Sequence, residues 1–106
     1  MEFCFRCFVE VDSEASAAQI KEELKDLLKS LGTLRSEVVK PYWKIKEYFE
    51  IFLSYPFSET ESFKNLMTSL GSGWEELSDK EAIWKPIEVA KFSNEKVKWA
   101  HIEVVE

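Results

Sequence analysis

The chain has 106 residues, of which 45% are hydrophobic and 14% aromatic, so the composition predicts one folded domain over residues 1–106 and excludes a disordered chain. A net charge of −6 argues against a nucleic-acid-binding protein, because phosphate backbones repel an acidic surface. No apolar run approaches the ~20 residues of a membrane-spanning helix, and the first residues lack the pattern of a signal peptide, so we expect a cytoplasmic protein without membrane contact.

The first two predicted elements are a strand and a helix. Residues 2–12 alternate between apolar and polar side chains with the period of a half-buried strand. Residues 16–19 then fit a capping box, in which Ser16 and Gln19 would begin a helix. Apolar side chains at positions 20, 24, 27, 28 and 31 keep helical spacing, and Gly32 lies where a helix ends.

Two further strands and a second helix are predicted next. Residues 33–56 are extended, with two strands meeting near Lys44–Lys46 and Pro41 favouring an edge position, since proline cannot donate a ladder hydrogen bond. Residues 58–61 form a second capping box, which predicts a helix that ends at Gly71.

The remaining chain contains an irregular segment and a closing strand. Residues 72–96 mix turn residues with tryptophans and predict one short strand. Residues 97–105 alternate again, with Lys98, Ala100, Ile102 and Val104 on one face.

The order of these elements predicts an α+β fold. We expect a two-layer sandwich in which two helices pack on one face of an antiparallel sheet, in a ferredoxin-like or related arrangement. The other face would carry Phe8, Tyr48, Phe52 and Trp99. These aromatic side chains are either covered by residues 72–96 or left as a surface that something else covers.

The cysteines and the histidine predict no catalytic, metal or cofactor site. Cys4 and Cys7 form a C-x-x-C pattern inside a strand, where they face opposite sides about 10 Å apart, too far for a disulfide. Together with His101 they do not make a zinc site at any recognised spacing. His101 and Glu103 share a strand face and could form an acid–base pair, but no nucleophile motif accompanies them.

The charges are unevenly distributed along the chain. Residues 57–84 contain six acids and two lysines, whereas residues 33–46 contain four basic residues and one acid. Trp74 and Trp84 lie within the acidic stretch, and aromatic side chains beside carboxylates are typical of a binding site for a basic protein. Trp43 and Trp99 suit core packing better. The predicted partner-binding residues are Trp74, Glu75, Glu76, Asp79, Glu81 and Trp84.

Several hydrophobic motifs resemble those of a known group of proteins. Gly73–Trp74, Ala82–Trp84 and the closing VKWAHIE segment, together with YWK at 42–44 and YFEI at 48–51, resemble small immunity proteins of bacterial polymorphic toxin and contact-dependent growth inhibition systems. The resemblance implies a non-enzymatic inhibitor that binds its cognate toxin, often a nuclease. A nuclease needs a basic groove for phosphates, so an acidic inhibitor suits it.

Two other functions are compatible with the sequence. A ferredoxin-like sandwich can be a small-molecule-binding regulatory domain, which would form a homodimer and bind its ligand at the seam. An enzyme of the dimeric-barrel kind would use His101, and replacing His101 would then eliminate turnover without unfolding the chain.

Overall fold

The computed structural model describes all 106 residues and contains two helices and eight strands. The helices are α1 (Glu14–Leu27) and α2 (Phe63–Leu70), with a short 3-10 helix at Lys29–Leu31. The strands are β1 (Glu2–Glu10), β2 (Ser36–Pro41), β3 (Tyr48–Pro56), β4 (Gly71–Ser72), β5 (Glu75–Ser78), β6 (Glu81–Trp84), β7 (Lys91–Phe92) and β8 (Val97–Val105). Neither helix is long and apolar enough to cross a membrane.

Six strands form one antiparallel sheet in the order β2-β3-β1-β8-β6-β5, and β4 pairs with β7 separately. The path β1-α1-β2-β3-α2-β8, with β1 between β3 and β8, is the split β-α-β arrangement of ferredoxin-like folds. The hairpin β5–β6 extends this sheet beyond β8. The predicted α+β sandwich is therefore confirmed, with an added hairpin.

The core lies between the helices and one face of the sheet. Alternate residues of the central strands are buried because side chains of a strand point to opposite faces in turn. Each helix contributes an apolar stripe to the same cluster of 22 buried residues. Its main members are Phe3, Phe5, Cys7, Val9, Ile20, Leu24, Leu28, Ile51, Leu53, Leu66, Leu70 and Ile102.

Both helices begin at serines other than the predicted ones. Ser13 caps α1 by accepting a hydrogen bond from the Ser16 backbone N–H at 3.1 Å, and Ala17, in the first turns of the helix, is buried in the core. Ser62 caps α2 in the same way. The predicted cap Ser58 instead lies in a turn. The predicted end of the second helix is correct, since Gly71 follows α2. The first helix ends earlier than predicted, at Leu27, and Gly32 instead ends the 3-10 helix that follows it, at φ +99°.

The two strands predicted within residues 33–56 are confirmed. β2 is an edge strand and Pro41 is its last residue, where a missing N–H costs no ladder hydrogen bond. The backbone N–H of Tyr42 donates to the carbonyl oxygen of Tyr48 at 2.9 Å and closes the turn between β2 and β3.

Residues 71–96 contain four short strands rather than the one predicted. The hairpin β5–β6 lengthens the sheet, while Phe92 of β7 packs against Phe5 and Trp84 on the side of the helices. Residues 71–96 therefore either extend the sheet or pack on the side of the helices. They do not cover the opposite face of the sheet.

The closing strand β8 is confirmed, but its first residues face the other way. A β-bulge shifts the register so that Val97, not Lys98, pairs with Val9 and is buried. The prediction that Lys98 shares a strand face with Ala100 is therefore wrong.

Candidate protein-binding face

We call the side of the sheet away from the helices the open face. It consists of the alternate residues of each strand that do not enter the core. β1, β3 and β8 contribute most of it, with Arg6 paired opposite Phe52 and His101, and Phe8 opposite Glu50 and Trp99. The helices and the β4–β7 pair lie on the other side, so these side chains are covered only by one another and by the β2–β3 turn.

A row of aromatic rings crosses the open face from the β2–β3 turn to β8. Tyr42 stacks on Phe8 with 4.2 Å between ring centroids, and Phe8 stacks on Trp99 at 5.1 Å. The row continues at one end to Trp43, 6.3 Å from Tyr42, and at the other to His101, 6.1 Å from Trp99. Stacked rings hold one another in place, so the row is a preorganised apolar surface.

The most exposed member of the row is Trp43. Its side chain is 82% exposed, and the Nζ atom of Lys44 lies 5.1 Å from its ring centroid. The sequence predicted Trp43 to be a core residue, and this prediction is wrong, because Trp43 follows the end of β2 and points out of the turn. A tryptophan this exposed presents a large apolar area to water, which a partner could bury.

The open face has a mixed centre and an acidic end. At the centre Arg6 Nε lies 3.1 Å from Glu50 Oε2, and the Arg6 guanidinium stacks 5.3 Å from the Phe52 centroid. At the β5–β6 end, the strand register places Glu75, Glu81 and Glu103 on the same face. Two carboxylates of the predicted acidic region, Glu75 and Glu81, therefore lie on the face that carries the aromatic row.

The two tryptophans predicted to bind a partner point toward the core. Trp84 is 3% exposed, and its Nε1 atom donates a hydrogen bond to the Ser72 carbonyl oxygen at 2.9 Å. The predicted surface role of Trp84 is thus wrong, because Ala82 and Trp84 share the core face of β6. Trp74 is half-buried, with Nε1 bonded to the Gly71 carbonyl oxygen and its ring against Phe92.

The predicted carboxylates are divided between several positions. Glu75, Glu76 and Asp79 are exposed, but only Glu75 lies on the open face, since Glu76 pairs with the buried Ala82 and points to the other side. Asp79 lies in the turn of the hairpin. Glu81 is on the open face and contacts His101, with 2.8 Å between Oε2 and Nε2. His101 therefore contacts Glu81 rather than Glu103, the partner inferred from the sequence.

As predicted, Cys4 and Cys7 lie on opposite faces of the sheet. Cys7 is fully buried in the core, and burial strongly raises the pKa of its thiol. Cys4 is half-buried on the open face, where burial, followed by a hydrogen bond to Glu2, raises its pKa from an ordinary value near 9 to about 11. A thiolate is the nucleophile in thiol chemistry, so neither residue is set up to react.

The burial of the two thiols and their raised pKa values predict that iodoacetamide alkylates the native protein slowly. At pH 8 the raised pKa leaves Cys4 with about 100-fold less thiolate than a free cysteine, so iodoacetamide should label it correspondingly slowly. Cys7 should react only after denaturation. Mass spectrometry of timed samples measures both rates, and rapid labelling of either residue in the folded state would contradict these positions of the two thiols.

One cavity, beside the start of α1, is lined mainly by charged and polar residues. It measures about 950 Å³ and opens between the start of α1, the β2–β3 turn and residues 94–96. Charged and polar side chains form most of its lining, including Asp12, Glu23 and Lys96. Small-molecule sites are mostly lined by apolar side chains, so this cavity gives little support to a ligand-binding regulatory domain.

Comparisons with known proteins do not identify a relative. No family model matches the chain, and no curated protein or solved structure matches it.

Proposed function

We propose that the chain is a cytoplasmic immunity protein that binds a basic toxin domain through its open face and blocks the toxin's activity. The observation that carries this proposal is the row of aromatic side chains, with Tyr42, Phe8 and Trp99 stacked, on a sheet face that the helices and the β4–β7 pair do not cover. The resemblance of the sequence to immunity proteins points the same way.

The form of this surface supports a protein partner. Tryptophan, tyrosine and arginine contribute most to protein–protein binding energy, and the open face presents Trp43, Tyr42, Trp99 and Arg6 together. Tyr42, Phe8 and Trp99 are held by stacking before the partner arrives, so these side chains lose little entropy on binding. A broad sheet face of this kind suits another protein surface better than a small ligand.

The charges support a basic partner. The chain carries a net charge of −6, and Glu75, Glu81 and Glu103 lie on the same face as the aromatic row. Carboxylates at the edge of an interface accelerate encounter with a positively charged surface. The phosphate-binding groove of a nuclease is such a surface, and an acidic protein seated in it would exclude the substrate.

Mixing the protein with the product of the neighbouring gene, where that gene encodes a toxin domain, tests the proposal directly. We expect a stoichiometric complex in which the toxin's activity is abolished, measured as nucleic-acid cleavage if the toxin is a nuclease. A stable complex in which the toxin stays fully active would contradict an immunity function. A dimer of the protein alone that buries Trp43 would show that a second copy, not a toxin, occupies the open face.

Charge reversal on β5 tests the docking face with a matched control. Glu75→Lys should slow association with the toxin several-fold and reduce its salt dependence, because Glu75 lies on the open face. Glu76→Lys makes the same charge change on the neighbouring residue but on the opposite side. Stopped-flow association rates at two salt concentrations compare the two. Equal effects of both variants would place the interface elsewhere.

A further inference from the structure

Three potential metal ligands converge at the acidic end of the open face. The ligand atoms of Glu81, His101 and Glu103 all lie within 4.8 Å of one another. Glu81 belongs to β6 and the other two belong to β8, so the backbone ladder between these strands holds all three. The sequence did not indicate this cluster, because the pairing of β6 with β8 joins residues that are distant along the chain.

A second observation points to a cation at this position. Glu81 and Glu103 are direct partners across β6 and β8, which places two carboxylates opposite each other on the same face. Like charges in this arrangement destabilise a sheet. Arg6, the partner of His101 on β1, directs its guanidinium to Glu50 and Phe52 on β3 rather than to these carboxylates. A cation between the carboxylates would remove the repulsion.

We propose that Glu81, His101 and Glu103 bind a divalent transition-metal ion of the zinc type. One imidazole nitrogen and two carboxylate oxygens supply three ligands and leave a fourth tetrahedral position open. Their spacing approaches that required for bonds of about 2.0–2.2 Å, once His101 and Glu81 separate slightly from their 2.8 Å contact. The Trp99 indole lies nearly parallel to the imidazole, with 15° between the ring planes and 6.1 Å between the ring centroids, and it flanks His101 on one side.

The ligand set favours zinc over calcium or magnesium. Calcium and magnesium prefer six or more oxygen ligands, whereas an imidazole nitrogen suits zinc and its transition-metal neighbours. Two carboxylates and a neutral imidazole carry a combined charge of −2, which a divalent ion balances. The open fourth position would accept water or a donor group from a partner docked on the open face.

Titration of the isolated protein with Zn²⁺ tests this site. Untagged, chelator-treated protein should bind one Zn²⁺ per chain in competition with a chromophoric indicator, and its melting temperature should rise with Zn²⁺ concentration. His101→Ala should weaken Zn²⁺ binding by about tenfold or more, as loss of a ligand affects affinity at least as much as loss of its supporting groups. Mg²⁺ and Ca²⁺ should not reproduce the rise.

Glu103→Gln gives a result that a simple ion-pair role would not produce. The metal-free variant should melt higher than the wild type, because one of two facing charges is gone, yet it should lose most of the Zn²⁺-dependent stabilisation. Glu75→Gln and Cys4→Ser are the controls. Glu75 lies on the same face outside the cluster, and Cys4 is a potential thiolate ligand paired with Glu103 across β1.

Four results would overturn the proposal: no saturable Zn²⁺ binding, equal binding of Ca²⁺, Zn²⁺ binding that survives His101→Ala, or Zn²⁺ binding that is lost with Cys4→Ser. The test needs no toxin and does not rest on the proposed function. Its failure would therefore leave the open face as a docking surface intact.

Discussion

Replacing Trp43 by alanine is expected to weaken binding of the partner by about 30-fold or more, while the free energy of unfolding stays within about 0.5 kcal/mol of the wild-type value. Trp43 is 82% exposed and packs only at the end of the aromatic row, so the fold loses little when its indole is removed. The partner, in contrast, loses a large aromatic anchor. Isothermal titration calorimetry and urea denaturation measure the two quantities separately.

Val89 provides the matched control for this substitution. Its side chain is also apolar and 77% exposed, but it lies between β6 and β7, outside the six-stranded sheet. Val89→Ala should therefore change neither affinity nor stability appreciably. If Trp43→Ala binds as tightly as the wild type, the aromatic row is not the binding surface.

Replacing Trp84 by alanine, in contrast to the Trp43 substitution, should destabilise the fold. The free energy of unfolding should fall by about 3–5 kcal/mol. The Trp84 ring is buried at 5.1 Å from the Phe92 centroid, and its Nε1 hydrogen bond holds the Ser72 carbonyl oxygen. Truncation leaves a cavity and an unpaired carbonyl. A domain of this size is stable by about 5–15 kcal/mol, so the loss is a large part of the total.

Trp84→Phe separates packing from hydrogen bonding. It keeps an aromatic ring in the cavity but removes the Nε1 donor, so it should destabilise the protein by less than Trp84→Ala. Urea denaturation followed by circular dichroism measures both variants. A Trp84→Ala protein with wild-type stability and impaired partner binding would restore the surface role that the sequence suggested for Trp84.

The sheet and helices were largely predictable because their signals are local. The alternation of Phe3, Phe5, Cys7 and Val9 specifies the core face of β1, and the spacing of Ile20 and Leu24 specifies that of α1. The helix starts were displaced because several serines near each start can act as caps, and a local motif does not select between them.

The tryptophans show why the surface was harder to predict. The density of carboxylates around Trp74 and Trp84 suggested an exposed site, yet charged side chains on one face of a strand are compatible with a buried ring on the other. The alternation of Glu81, Ala82, Ile83 and Trp84 does carry this information once the segment is known to be a strand. Exposure of Trp43 depends on the path of the β2–β3 turn, which no short motif specifies.

The cluster of Glu81, His101 and Glu103 could not be predicted from the sequence for a different reason. Glu81 and His101 meet only because β6 pairs with β8, and the sequence between them contains no turn that predicts this pairing. Register between distant strands depends on the whole core. The alternation within β8 therefore identified Glu103 as a neighbour of His101, but it could not identify Glu81, whose carboxylate is in hydrogen-bond contact with His101.

The tryptophan indole N–H signals offer the most direct test of the open face as the binding surface. The protein has four tryptophans, which give four resolved probes in a ¹H–¹⁵N correlation spectrum: Trp43 and Trp99 on the open face, Trp74 and Trp84 on the side of the helices. On addition of the toxin domain, the signals of Trp43 and Trp99 should shift or broaden while those of Trp74 and Trp84 stay in place. Perturbation of Trp74 and Trp84 with unchanged Trp43 and Trp99 signals would contradict binding at this face.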